Sequence, residues 1–246
     1  MHTVQIVTSI LAATLLTACG GDGKAVDATA VDGKAEANGS RSFAATGFTG
    51  VELAGSDDVI VTRGERFSVV ATGPQDVLDK LEIGVGNGVL KVGREASVTN
   101  WASDRGATIA VTLPRLDSAA VSGSGAMTID QAGGDSVALS ISGSGNLTVA
   151  AVTAKALDVT LAGSGDIRIT GGKADSGAVS LAGSGDVDLK GVTLATADIS
   201  LAGSGDVDAT ATSTADVSIV GSGDVRVGGG AKCASSELGS GTASCG

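Results

Sequence analysis

Four acidic residues that follow a recurring Gly-Ser-Gly tripeptide are the side chains of this sequence best placed to do chemistry together. Each comes directly after one copy of the tripeptide: Asp166, Asp186, Asp206 and Asp224. Carboxylates brought into a column could bind calcium or another cation, or act as an acid and a base on a polysaccharide. They could equally be corner residues whose side chains accept hydrogen bonds from backbone N–H groups, which is the interpretation we favour.

Other candidates for chemistry are few. The only histidine is His2, near the N-terminus, so the rest of the chain offers no Ser-His-Asp triad, no Cys-His pair and no histidine ligand for zinc. Trp101 lies in a polar stretch, where it is either a ligand contact or a local packing anchor. The tripeptide lacks the strand–helix setting and the lysine of a phosphate-binding loop. We therefore predict no enzyme activity, no metal and no cofactor.

The three cysteines divide into one near the N-terminus and a pair near the C-terminus. Cys233 and Cys245 flank the last Gly-Ser-Gly, and in an oxidising compartment an even pair predicts a disulfide that closes the final repeat. A metal site is the rival interpretation, but two thiols without a nearby histidine are too few ligands.

The N-terminal segment predicts export. Residues 4–18 are mostly apolar, too few to span a membrane comfortably but enough for the apolar part of a signal peptide. The sequence Leu-Thr-Ala-Cys-Gly at residues 16–20 resembles the lipobox of bacterial lipoproteins, although the first three residues carry no Lys or Arg. This resemblance implies cleavage after Ala18 and acylation of Cys19. An ordinary cleaved signal is the alternative, and Gly20 favours sorting to the outer membrane.

Three segments follow from these features. Residues 1–18 are a lipoprotein signal peptide, residues 19–41 a lipidated flexible tether of small and polar residues, and residues 42–246 the head. Within the head we separate an atypical N-terminal part, residues 42–121, from the Gly-Ser-Gly repeats, residues 122–246.

The repeat is the strongest structural signal. Seven copies of Gly-Ser-Gly are spaced first by 20 and then by 18 residues, and they begin at Gly123, Gly143, Gly163, Gly183, Gly203, Gly221 and Gly239. Apolar and polar residues alternate on both sides of each copy, which is the period of a strand. Two strands therefore meet at a glycine corner, and stacked repeats predict an all-β solenoid with an aliphatic interior. Leucine-rich, hexapeptide and calcium-binding nonapeptide solenoids have other periods.

The N-terminal part of the head carries the pattern faintly, as expected for a terminal repeat that caps a stack. Residues 53–61 resemble a degenerate first copy, residues 74–81 begin with proline and predict one or two helical turns, and Asn87-Gly88 predicts a hairpin.

Several of these segments together resemble one bacterial family. They are residues 48–53, 57–64, 78–81 and 111–116 with the Ser-Gly-Ser-Gly copies. In this order they are similar to the "putative auto-transporter adhesin, head GIN domain" family, over about residues 43–245. The resemblance implies a right-handed parallel β-helix-like solenoid. It implies no catalytic residues, because the family has no established activity.

The composition limits the classes of partner that the protein could bind. The net charge of −11 repels nucleic acid phosphates and keeps an exported protein soluble. We predict a non-enzymatic cell-envelope lipoprotein in a structural or adhesin-like role, attached to the membrane by its lipid and contacting an envelope protein or a glycan. A calcium- or polysaccharide-binding module is the alternative, and a carbohydrate-active enzyme a more distant one.

Overall fold

The computed structural model describes residues 28–36, 39–95 and 106–246. In these ranges it contains one short helix, α1, and β-strands that we number in chain order. The bounds are β1 Thr29–Ala30, β2 Gly33–Glu36, β3 Ser40–Phe43, β4 Gly50–Gly55, β5 Asp58–Arg63, β6 Ser68–Thr72, α1 Gln75–Leu78, β7 Leu81–Gly86, β8 Val89–Arg94, β9 Thr108–Leu113, β10 Ser118–Gly123, β11 Ala126–Gly143, β12 Asn146–Gly163, β13 Asp166–Ile169, β14 Gly172–Gly183, β15 Val187–Gly203, β16 Val207–Gly221, β17 Val225–Gly228, β18 Lys232–Gly239 and β19 Ala243–Cys245.

The repeats form a parallel β-solenoid of about six turns with about 20 residues in each, which confirms the fold predicted from the spacing. Each turn pairs with the next, and the 20-residue turns stay in register, so that Val159 lies beside Val179 and Val179 beside Ile199. These inward side chains are at most 2% exposed. Burying each contributes about 1.5–3 kcal/mol, and this repeated aliphatic column explains why the core needs almost no aromatic residues.

The change of repeat spacing from 20 to 18 residues is accommodated at one place, between β15 and β16. Between β15 and β16 the register shifts twice, between Leu189 and Thr193 and between Leu194 and Thr196. The two strands are back in step by Ala197, which pairs with Ala215. The shorter turn therefore alters the pairing only between Leu189 and Thr196, and the glycine corners stay stacked.

The atypical N-terminal part extends the same stack and then closes it. Gly55 pairs with Gly123, which confirms residues 53–61 as a degenerate first copy. On its other side β8 and β9 pair in parallel with β4 and β5, and β7 and β6 then add antiparallel strands. The predicted hairpin joins β7 to β8, with φ of 53° at Asn87 and 76° at Gly88. The predicted helical turn is α1, directly after Pro74.

The described part of the predicted tether differs from a free chain. β1 pairs antiparallel with β7, and β2 pairs antiparallel with β3, so residues 29–36 extend the edges of the head. The boundary predicted after residue 41 falls inside β3. Composition alone misses this because strand addition at an open edge relies on backbone hydrogen bonds, which small polar residues provide as well as others.

No helix of the described residues is long and apolar enough to cross a membrane.

Candidate functional site

The Gly-Ser-Gly corner is a backbone junction between turns. The carbonyl oxygen of its first glycine accepts two N–H groups of the next turn: Ser184 N lies 2.9 Å and Gly185 N 3.3 Å from the oxygen of Gly163. The same pattern recurs from Gly55 through Gly221, although not every copy has both bonds. The serine at the centre therefore joins the turns through its backbone N–H.

Glycine is required at both ends of the corner by two different constraints. Gly183 has a φ of +143°, and a Cβ there would lie 1.9 Å from the oxygen of Gly163. Gly185 has no such φ, but its Cβ would lie 1.8 Å from the oxygen of Gly165. Both distances are far below the closest approach of real Cβ atoms, so the close stacking of the main chain requires glycine at both positions.

The four aspartates do form a column, in which each carboxylate binds the backbone of the next turn. Oδ1 of Asp166 accepts the N–H of Asp186 at 3.1 Å, and Oδ1 of Asp186 accepts that of Asp206 at 2.9 Å. The series continues through Asp224, whose Oδ1 accepts the N–H of Thr242 at 3.0 Å and its hydroxyl at 2.8 Å. We expected the acceptor role, but the donors lie a whole turn away and not in the local corner.

Arg226 balances part of the column's charge, and Lys190 pairs with Asp208, which lies outside the column two residues after Asp206. Arg226 lies 3.4 Å from Asp206 and 3.3 Å from Asp224, and Lys190 lies 3.0 Å from Asp208. The hydrogen bond to Asp208 raises the pKa of Lys190, and that to Asp206 raises the pKa of Arg226. The hydrogen bonds from Thr242 lower the pKa of Asp224. The column is therefore a coupled hydrogen-bonding and ion-pairing surface.

This arrangement favours a structural role for the column over cation binding or acid–base chemistry. One oxygen of each carboxylate is already used to join turns, and Arg226 contacts Oδ2 of both Asp206 and Asp224. Among residues 28–36, 39–95 and 106–246, no three acidic, histidine or cysteine side chains are grouped so that they could hold a metal ion.

A buried ion pair, which the sequence did not reveal to us, lies in the first turn. Asp57 takes the place of the second corner glycine and is fully buried. It accepts hydrogen bonds from Arg94 Nε at 2.7 Å and from the N–H of Ala107 at 2.7 Å, with a further bond from Arg94 Nη2. The Asp in a glycine position was a visible departure from the repeat, but nothing in the sequence indicated Arg94 as its partner.

The cysteine pair closes the C-terminal turn as predicted. Cys233 and Cys245 are disulfide-bonded with their Cα atoms 6.5 Å apart. Cys233 pairs in register with Ala215 and Cys245 with Val227, which are both buried core residues. The bond therefore joins β18 to β19 across the end of the interior.

A cavity of about 570 Å³ lies at the opposite end of the solenoid. Residues 28–33 form one wall, and residues of β3, β4, β7 and β8 form the rest, with Phe43, Ile83 and Val92 among the apolar side chains. Arg41 also lines it, and its Nε is a buried donor without a partner among the described residues. The volume is that of a small-ligand site.

Two predicted site residues lie outside the described residues. Cys19, the predicted lipidation site, and Trp101, the possible ligand contact, both fall in ranges that the structure does not describe. Their roles stay predictions.

Comparison with solved structures identifies the same fold in bacterial proteins. A "putative adhesin" from Bacteroides fragilis superposes with a TM-score of 0.79 at 21% identity, covering 84% of this chain and 95% of that one. A "putative adhesin" from Parabacteroides distasonis gives 0.68 at 19% identity, covering 84% and 96%. A "putative lipid binding protein" from the same species gives 0.63 at 22% identity, with the same coverage. These identities establish the fold alone.

Comparison with sequences is consistent with this fold. None of the curated proteins matches the chain. The model of the family described as "Putative auto-transporter adhesin, head GIN domain" matches residues 47–231, most of the described head. The chain therefore belongs to the putative auto-transporter adhesin, head GIN domain family.

Proposed function

We propose that this protein is a non-enzymatic, lipid-anchored protein of the cell envelope that acts through surface contacts of its solenoid head. The observation that carries the proposal is the Asp166–Asp224 column. The residues that most resembled a catalytic or cation site bind the backbone of the next turn. What remains for function is a rigid stack whose outward side chains repeat at about 4.8 Å, the spacing of neighbouring strands.

The family supports the interaction role, since its description is that of an adhesin head. Anchoring is supported by the sequence around Cys19, because an acylated cysteine followed by a few residues would hold the head at a membrane surface. Eight residues, or nine Cα–Cα steps, separate Cys19 from Ala28, so the head would lie within about 30 Å of the lipid.

The test uses cells that express the full chain or its Cys19→Ser variant. We expect the wild type in the membrane fraction and the variant in the soluble fraction, with acyl chains found on Cys19 by mass spectrometry. Binding of intact cells to envelope proteins and to glycan arrays should then require the wild-type chain. Equal membrane association of the two chains would contradict the anchor. Turnover of a glycan substrate by the purified chain would contradict the non-enzymatic role.

The N-terminal cavity favours a second candidate function, binding of an aliphatic ligand. Its apolar wall and the unpartnered Nε of Arg41 suit an aliphatic chain that ends in a hydrogen-bond acceptor, since the other guanidinium nitrogens of Arg41 already bind Leu78 O and Asp79. A structure of the same fold is described as a putative lipid binding protein.

This second candidate is tested with a fluorescent fatty acid and the purified full chain. Gly93 lines the cavity, and a Cβ there would make only ordinary contact with Ala54, so Gly93→Leu should fill the space and abolish binding. Ala202→Leu, on an exposed position of a repeat, is the matched control that should bind normally. Absence of binding by the wild type would refute the candidate.

A further inference from the structure

The last turn of the solenoid covers an apolar layer. Val217 and Ile219 in β16 and Val225 and Val227 in β17 are only 0–4% exposed, although they belong to the second-to-last turn. Their neighbours on the outer side are β18 and β19, with Ser235 beside Val217 and Glu237 beside Ile219. The aliphatic columns of Val217 and Ile219 therefore stop at β16.

In the covering turn β18 is polar at the positions that would continue the core, whereas β19 continues the Val225 column with the small side chain of Ala243. β18 carries Cys233, Ser235 and Glu237 where earlier turns carry aliphatic residues, and Oε1 of Glu237 accepts the N–H of Ala243 at 3.1 Å. A charged side chain at an inward position of an edge strand is a known protection against the addition of further strands. A second solenoid end would find no apolar layer to pack against while this turn is in place.

Backbone hydrogen bonds, the contacts of Thr242 with Asp224 and the disulfide hold the covering turn, with little burial of apolar side chains. All eight residues of β18 are exposed, and β19 has three residues. Within the described part of the chain, β18 pairs with β16 alone and β19 with β17 alone. Since neither strand buries a large apolar side chain, the Cys233–Cys245 bond is the one covalent constraint on a weakly packed segment, and such segments open locally at low free energy.

We infer that the last turn is a disulfide-locked cover, and that reduction of Cys233–Cys245 opens an adhesive end that pairs with the same end of a second copy of this chain. The reductant is a dithiol. One of its thiolates attacks a cysteine sulfur and breaks the S–S bond, its second thiol resolves the mixed disulfide, and both cysteines leave as protonated thiols while the reductant becomes a disulfide.

A second copy is the occupant that the structure itself supports. The end of β16 and β17 already binds a pair of strands from this sequence, namely β18 and β19, through backbone hydrogen bonds. An identical open end offers a strand edge of the same length and the same four aliphatic side chains. Two copies related by a two-fold axis would cover each other's apolar layer, as self-complementary interfaces do.

The first measurement is hydrogen exchange on the full chain, oxidised and after treatment with dithiothreitol. We expect exchange of the β18 amides to accelerate about 100-fold on reduction, since closing a loop of this length suppresses opening by about that factor. The Cys233→Ser, Cys245→Ser double variant should exchange like the reduced chain. Unchanged protection of β18 in both samples would overturn the cover.

The second measurement is sedimentation of the same samples. We expect a monomer when the chain is oxidised and a dimer when it is reduced or carries both serine substitutions. In the double-serine background, Ile219→Ser should abolish the dimer, whereas Val220→Ser should retain it, because Val220 is the adjacent residue, 50% exposed and outside the covered layer. A reduced chain that stays monomeric, or equal effects of the two substitutions, would overturn the pairing.

Discussion

Three single glycine substitutions, one outside the corners and two within one corner, separate the cost of backbone strain from the cost of crowding between stacked turns. Gly47→Ala adds a methyl group at a φ of +76° with no atom within 4 Å, so it tests backbone strain alone. Gly185→Ala has no positive φ but places Cβ 1.8 Å from the oxygen of Gly165, so it tests the close stacking of turns alone. Gly183→Ala combines a φ of +143° with a distance of 1.9 Å to the oxygen of Gly163.

The magnitudes follow from these distances. Strain at Gly47 should lower the free energy of unfolding by about 1–2 kcal/mol. At Gly185 the turns must separate by about 1.2 Å, the difference between 3.0 Å and 1.8 Å, before the contact becomes tolerable. This stretches the two bonds to the oxygen of Gly163, worth about 1 kcal/mol each, and adds about 1–3 kcal/mol of overpacking. We expect a loss of about 3–5 kcal/mol at Gly185 and more at Gly183.

The assay is thermal unfolding followed by circular dichroism. For a chain of this size, 1 kcal/mol corresponds to about 2–4 °C in Tm, so Gly47→Ala should cost a few degrees and Gly185→Ala roughly 10 °C. Ser184→Ala is the matched control inside the same corner, because only the backbone of Ser184 joins the turns, and its Tm should be close to that of the wild type. Equal losses at Gly47 and Gly185 would refute the stacking argument.

Four further expectations follow from the same contacts. Asp186→Ala should lower the free energy of unfolding by about 1 kcal/mol in urea titrations, because it removes the acceptor for the N–H of Asp206. The control Asp198→Ala, at an exposed position, should change the free energy of unfolding by less than about 0.5 kcal/mol. Equal effects would contradict the hydrogen-bonding role of the column. Asp57→Ala should cost about 3–5 kcal/mol in the same assay, since it removes a fully buried carboxylate that accepts hydrogen bonds from Arg94 and from the N–H of Ala107. A near-neutral effect would exclude a stabilising pair. Because the pKa of Asp224 is lowered in the folded state, its ionised carboxylate stabilises the fold fully above its ordinary pKa of 3.8, and this stabilisation is lost as the pH falls through the lower folded pKa. The acid unfolding curves of wild type and Asp224→Asn should therefore differ at pH 5 and converge at the acid end. Parallel curves would contradict this. Millimolar calcium should leave Tm unchanged relative to chelator, and a rise abolished by Asn at Asp186 and Asp206 would show that the column binds the ion.

The repeat was predictable because each turn is determined by a short, local pattern. Alternation around Val159 and Leu161 predicted the strands, and the spacing of the glycines, first 20 and then 18 residues, predicted the stacking of turns. The disulfide was predictable for a related reason, since Cys233 and Cys245 lie within one turn of each other. In these cases the partners in space are also related by a fixed interval in sequence.

Contacts without such an interval could not be predicted. Asp57 and Arg94 are 37 residues apart, across an antiparallel insertion that the repeat does not describe. The pairing of β1 with β7 joins residues more than 50 positions apart, through backbone groups that every residue carries. The cavity depends on the second of these contacts, because its walls come from Ala28, from residues 30–33 and from the β7–β8 hairpin.

The column of aspartates shows why residue type and spacing alone misdirect the search for function in a solenoid. A repeat places the same side chain at the same point of every turn, so a structural acceptor and a multivalent ligand site have the same signature in sequence. The hydrogen bonds distinguish them here, because one oxygen of each of Asp166, Asp186 and Asp206 is occupied by the N–H of the following turn. Positions that break the repeat are therefore the more informative ones. In this chain they lie at the two ends, where Arg41 lines the N-terminal cavity and Glu237 replaces an aliphatic residue in the C-terminal cover.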